Sequence, residues 1–314
     1  MHEIGAPHRE SRVVSVPVQV TGVLVPQTEA GAPLPLSRLA WQRFRRHRMA
    51  LVSGGILLII VLVSAAAPLL ASEEAANQVN PLQNLSPPSL AHPFGTDDVG
   101  RDMFWRTIYG GRISLAIGLL SVLIAMTVGI TIGCLAGFYG GVVDSLLMRF
   151  TDAVLSIPSL FMLIVLTRIL GPTVPAIILV IGLLNWMQVS RIVRANFLSL
   201  KGQDFVLAAR ASGVDDRAIM VRHILPNTMA PVIVAATLGI GHAIILEASA
   251  SFLGLGVQPP TASWGSTLNR AQEVMVMAPW VAIFPGLMIL LTVLCVNFIG
   301  DGLRDALDPH TRRK

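Results

Sequence analysis

From Leu51 to Leu70 the chain runs for about 20 residues without a single charged side chain, and at 1.5 Å of rise per residue a helix of that length crosses a hydrocarbon layer of roughly 30 Å. This stretch is read as a transmembrane helix. Five further apolar segments follow, at about Ile113–Phe138, Val143–Leu170 with a kink expected near Pro158, Val174–Val189, Ala230–Leu253 and Pro279–Ile299. The fold class is therefore all-α, a polytopic membrane protein with six transmembrane helices. Composition agrees: 53% of residues are hydrophobic and only 13% charged, with a mean hydropathy of +0.68, outside the range of ordinary soluble domains.

The segments between these runs set the expected organisation. Residues 1–37 carry Pro7, Pro17, Pro26, Pro33 and Pro35 and no helical period, the pattern of a disordered cytoplasmic tail. They also lack the apolar core of a cleavable signal peptide, so insertion is expected to use an internal helix. Residues 38–71 join a basic amphipathic stretch, with Leu39, Trp41 and Phe44 among five arginines in Ser37–Arg48, to the first span. It suits an anionic inner leaflet or a plain positive flank, and membrane lipid is a partner either way. Residues 72–111 are polar and proline-rich, an outside loop. Residues 112–303 are the five-helix core, with a polar loop over 198–228, and residues 304–314 form a cytoplasmic end.

With the amino terminus inside, 18 of the 23 Lys and Arg residues fall on the inner side, and Arg101, Arg106, Arg112, Arg168 and Arg270 on the outer. That bias matches the positive-inside rule. The formal charge of +5 reads as a topology signal, because the basic residues flank apolar runs and do not form one nucleic-acid patch. Cys134 and Cys295 both lie inside apolar runs, where a disulfide framework or metal site is not expected.

One interior stretch breaks the membrane pattern, Asp204 to Asn227, DFVLAARASGVDDRAIMVRHILPN. Ala208, Ala209 and Ala211 favour a helix whose small side chains allow close approach. Gly213 ends that helix in the left-handed conformation, and Asp215 or Asp216 caps a second one bearing Ile219, Met220 and His223. Pro226 is expected to stop the second helix. Two short helices at an angle result, either an amphipathic loop lying on the membrane surface or a docking element for another protein. In the second span Gly129, Gly133 and Gly137 recur every four residues, a small-residue stripe suited to backbone-to-backbone packing.

The Asp204–Asn227 stretch is similar to the "EAA" loop of binding-protein-dependent ABC importer permeases. Ala208-Ala209, Gly213 and Ile224-Leu225-Pro226-Asn227 carry the resemblance, with Leu207, Arg210 and Val214 alongside; the glutamate usual before the two alanines is Leu207 here. HPFGTDDVGRDMFWRTIYGGRISL, EASASFLGLGVQPPTASWG and FPGLMILLTVLCVNFIGDGLRDALDP resemble the second permease subunit of dipeptide and oligopeptide importers, so the likeness covers roughly Ser37 to Pro309.

The resemblance implies a type I importer (MetI-like) permease fold. It also implies a homologous permease as partner, two cytoplasmic ABC ATPases docked on the loop, an extracytoplasmic solute-binding protein, and a peptide substrate, with nickel or opines as other solutes of the branch. Its location would be the cell membrane, multi-pass, with both termini cytoplasmic.

The chemistry that is missing points the same way. No G-x-x-x-x-G-K-[ST] phosphate loop occurs, so ATP hydrolysis belongs to another polypeptide. Gly239-Ile240-Gly241 and Gly254-Leu255-Gly256 lack the context of a dinucleotide site. His92, His223 and His242 read as isolated, and no catalytic residue, metal or cofactor is expected.

Glu247 is the clearest charge within a span. It shares a face with Gly239, Ala243, Ala250 and Gly254, and with Ser251 either lines the solute path or pairs structurally with a neighbour. His242, Asn185, Asn297, Asp144 and Asp152 are expected as interhelical hydrogen-bonding or membrane-edge residues. The competing reading is an ion-coupled secondary transporter with Glu247 as proton carrier, although no duplicated halves or paired broken helices are apparent.

Overall fold

The computed structural model describes residues 36–308, so the expected tail and the last six residues lie outside the described residues, apart from Leu36 and Ser37, which open the first helix. In chain order the helices are α1 (Leu36–Phe44), α2 (Arg48–Leu70), α3 (Glu73–Asn77), α4 (Met103–Tyr139), α5 (Gly141–Leu155), α6 (Ser159–Leu170), α7 (Val174–Leu200), α8 (Asp204–Ala211), α9 (Asp216–Ala218), α10 (Leu225–Phe252), α11 (Trp264–Val274) and α12 (Trp280–Leu307). Among the described residues the only β pairing is an isolated bridge between Thr96 and Asp102. That is the outcome hydrocarbon enforces, since a helix satisfies its backbone groups within itself.

Among the described residues five helices are long and apolar enough to span a membrane: α2, α4, α7, the continuous Asp216–Phe252 helix and α12. α5 and α6 meet at 87° across Ser156-Ile157-Pro158 and make a sixth span if counted together. The expected kink is thus a sharp break. Pro158 stands as N-cap of α6, where its missing N–H costs no helical bond.

Two spans are longer than their hydropathy implied. α4 starts at Met103, ten residues before the apolar run, because Asp102 caps it by accepting from the Phe104 and Trp105 amides. α7 continues to Leu200 through its polar last turns, where Phe197 packs fully buried.

The α4–α7 seam is the spine of the bundle. A Cβ on Gly129 would stand 2.6 Å from the Val189 Cβ, one on Gly133 2.6 Å from the Ser190 carbonyl oxygen, and one on Gly137 2.5 Å from the Phe197 Cβ. Gly182 on α7 answers in kind, with the Ser121 carbonyl oxygen 2.9 Å from its would-be Cβ. The four-residue stripe therefore packs two backbones at a distance no side chain permits. Conversely Leu58, Ile59 and Leu62 of α2 face outward, as side chains in lipid do.

Residues 71–102 and 253–279 form one end of the bundle, and both are ordered by hydrogen bonds. The Trp280 indole donates to the Thr96 carbonyl at 3.1 Å, while Asn269 and Gln272 both donate to the Phe252 carbonyl. α11 lies within a stretch that reads from sequence as loop. Ser263 caps it in a capping box with Ser266.

Candidate functional site

The Asp204–Asn227 segment lies at the opposite end of the bundle, between α7 and α10. α8 buries Val206 completely, and Ile219 and Ile224 are also fully buried against Phe138, Val193, Phe197 and Val232. Between the two arms Gly213 takes φ = 76°, a left-handed conformation that a β-branched residue resists. The Gly213 and Val214 amides donate back to the Arg210 and Ala209 carbonyls, closing the helix end. Asp215 opens the next helix by accepting from the Arg217 amide at 3.1 Å.

Pro226 does not stop the second helix. From Asp216 the chain continues through a π-helical turn, Ile219–Ile224, directly into α10. The Leu225 amide reaches back five residues to the Met220 carbonyl, and Pro226 follows in the first turn of α10. The widened turn removes the demand for a donor where proline has none, and the first turn of a helix accepts proline readily.

The ten residues singled out in this segment divide by direction. Leu207, Ala208, Arg210, Gly213, Pro226 and Asn227 are exposed, Ala209, Val214 and Leu225 are half-buried, and Ile224 is sealed in the core. The two alanines thus do not share a surface: Ala208 points outward and Ala209 packs inward. Phe205 and Val221 add apolar area outside, with Val221 60% exposed, and the Arg210 guanidinium sits over the Phe138 ring. This is an apolar patch with a charged rim, held on a rigid base.

Glu247 belongs to the other end, and its surroundings are entirely different. It has no exposed surface. Its carboxylate accepts from the hydroxyls of Ser251 at 2.7 Å, Ser263 at 2.8 Å and Ser114 at 3.4 Å. Those hydroxyls accept in turn: Ser251 from the Val257 amide, Ser263 from the Ser266 amide and Ser114 from the Trp264 amide. The Trp264 indole then donates to the Thr107 carbonyl at 2.9 Å. α4, α10 and the start of α11 are joined through one carboxylate whose acceptor sites are filled from three directions. Glu247 and Ser251 are both buried within the chain, and the carboxylate is paired with three hydroxyls.

Several polar residues have partners that the sequence did not disclose. His92 is not isolated: its Nδ1 lies 2.8 Å from Asp102 and its Nε2 3.2 Å from Gln83. Asp144 pairs with Arg194, and Asp152 with Arg191, fastening α5 to α7. Asn185 donates to the Ile181 carbonyl of its own helix. Asp97, Asp98, Arg101 and Arg270 form a network beside Thr96, with Arg101 to Asp97 at 2.7 Å and Arg270 to Asp98 at 3.1 Å. Ten residues separate His92 from Asp102 and 172 separate Asp98 from Arg270, distances over which no local pattern signals contact.

Comparison with known proteins places the chain in context. Residues 129–313 match the family model described as binding-protein-dependent transport system inner membrane component, and residues 35–88 match the N-terminal TM domain of oligopeptide transport permease C. The dipeptide transport system permease protein DppC of Alkalihalophilus pseudofirmus is 43% identical over 275 residues, covering 88% of this chain and 90% of that one. The glutathione transport system permease protein GsiD of Escherichia coli is 44% identical over 272 residues, with 87% and 90% covered. Among solved structures, an inward-facing MetNI methionine ABC transporter shares the fold at a TM-score of 0.54 and 20% identity, covering 66% of this chain and 98% of that one.

Proposed function

We propose a function from one premise: the chain belongs to the family of binding-protein-dependent transport system inner membrane components. It is a multi-pass membrane protein and a permease subunit of an ABC importer. Within that frame we infer that Asp204–Asn227 is its coupling element, projecting into the cytoplasm to dock in a cleft of an ATPase subunit. The observation that carries this is the outward-facing Leu207, Ala208 and Val221 on a base anchored by Val206, Ile219 and Ile224. Apolar surface held outward at the end of a membrane bundle has its use in a protein partner.

The orientation follows the arginine distribution, with both termini inside. The remaining partners are a homologous permease that completes the translocation path, a second ATPase, and a solute-binding protein on the outer face. The named relatives transport dipeptides and glutathione, which supports a short peptide as solute, selected chiefly by the binding protein. On this reading Glu247 acts by fixing the outer end of the bundle and does not shuttle protons across the membrane, which distinguishes the permease from an ion-coupled transporter.

The test is deletion of Ala208–Gly213 in the reconstituted transporter. Solute-stimulated ATPase activity should be abolished while the chain still inserts and assembles. Coupling that survives the deletion overturns the assignment.

A further inference from the structure

At the end of the bundle that holds residues 71–102, a cavity of about 350 Å³ opens between α3, the first turns of α4 and the Thr261-Ala262 pair. Arg106 lines it and is only 3% exposed. Arg112, one and a half turns further along α4, stacks over the Tyr109 ring at 5.7 Å. Among the described residues, no carboxylate oxygen lies within 4 Å of the Arg112 guanidinium.

The charges around Arg106 do not balance. Asp97 is committed to Arg101: Oδ2 accepts from the guanidinium at 2.7 Å and Oδ1 from the Arg101 amide at 2.9 Å. Asp98 takes Arg270 at 3.1 Å, and Asp102 takes His92 and the first amides of α4. Arg106 is left with the neutral Asn77 amide oxygen at 2.6 Å and with Asp97 at 3.9 Å. Asp97 and Asp98 therefore serve three guanidiniums, and the one held at the longest reach is Arg106, 3.9 Å from Asp97, which forms the cavity wall. A buried guanidinium whose nearest carboxylate stands at 3.9 Å and is shared with Arg101 is poorly compensated, and an anion entering the cavity would add charge-assisted hydrogen bonds.

We propose that this cavity binds an oxyanion, a carboxylate or a phosphate, carried on a small zwitterionic ligand. Arg106 and Arg112 hold the anion, and Glu73 at the rim receives an ammonium group. A volume of about 350 Å³ admits a ligand of dipeptide or headgroup size. Two sources supply this chemistry: the terminal carboxylate and amine of a short peptide, or the phosphodiester and amine of an ethanolamine lipid headgroup. The peptide source rests on the solute reading given above, and the lipid source does not.

The experiment uses the full chain, purified in detergent and stripped of lipid. It is titrated with alanyl-alanine, with alanyl-alanine amide and with dihexanoyl phosphatidylethanolamine, following thermal melting and native mass spectra. At least one of the two oxyanion ligands should raise the melting temperature and appear bound at one copy per chain, while the amide does neither. Arg112→Gln removes an exposed cation, and Ala116→Leu fills the cavity with every charge kept; each should weaken binding about tenfold. Binding of the lipid alone assigns the site to the membrane and leaves the peptide reading to the ATPase assay. Failure of both ligands to bind the wild-type chain, or binding unchanged in both variants, overturns the proposal.

Discussion

The two ends of the bundle solve opposite problems with similar materials. Around Glu247 every polar group finds a partner inside the chain, and the largest side chain nearby, Trp264, has no exposed surface. Around Leu207 the backbone is equally well tied, yet Phe205, Leu207 and Val221 are left facing out. The contrast separates a cluster that satisfies itself within the chain from one that leaves apolar surface exposed. Both are tied by backbone hydrogen bonds; what differs is whether the apolar and hydrogen-bonding capacity is used up within the chain.

Glu247→Ala tests the self-contained serine cluster most severely. It leaves three buried hydroxyls without their acceptor and opens a cavity, at an expected loss of about 3–5 kcal/mol in thermal melting. Glu247→Gln keeps the shape and one acceptor oxygen, so its loss should be smaller, about 1–2 kcal/mol. A Glu247→Ala chain that melts like the wild type would mean that the serine cradle is not what holds this end.

Gly213→Val acts at the other end, by forcing a β-branched residue to φ = 76°. About 1–2 kcal/mol of strain is expected, confined to the Asp204–Asn227 segment. Limited proteolysis should report faster cleavage there, with little change in global melting. If melting falls as far as in Glu247→Ala, the two ends are one cooperative unit and the contrast drawn here fails.

Leu207→Glu should have the smallest effect on stability, within about 0.5 kcal/mol, because the side chain is half exposed. Its effect on solute-stimulated ATPase should be large if docking relies on the apolar patch. An unchanged rate removes Leu207 from the contact.

How far the sequence discloses all this depends on the range of the interaction involved. Spans, the glycine stripe and the Gly213 turn are local patterns of hydropathy, spacing and backbone preference, and all three are visible by reading along the chain. Helix ends are harder: Asp102 draws α4 back to Met103, and buried Phe197 extends α7 past its apolar run, each by a contact that hydropathy does not record. Pro226 misleads because its effect depends on the hydrogen-bond register before it. The Glu247 cradle is the least legible, since Ser114 lies 133 residues away and Ser263 lies 16. A lone carboxylate in an apolar run reads equally as channel lining or as a satisfied core group until its partners are seen.

The π-helical turn has one more consequence. Because Ile219–Ile224 passes into α10 without a break, Arg217 and Glu247 sit on a single rod, 30 residues apart, or about 45 Å at helical rise. Pivoting such a rod by about 5° swings its far end by about 4 Å, more than the length of a hydrogen bond. The compliant places are the widened turn itself and Pro231, about two turns beyond it, both near the exposed end. Beyond Pro231 the helix has no further proline, so any bending is expected to concentrate toward its Asp204–Asn227 end and to leave the stretch that carries Glu247 straight.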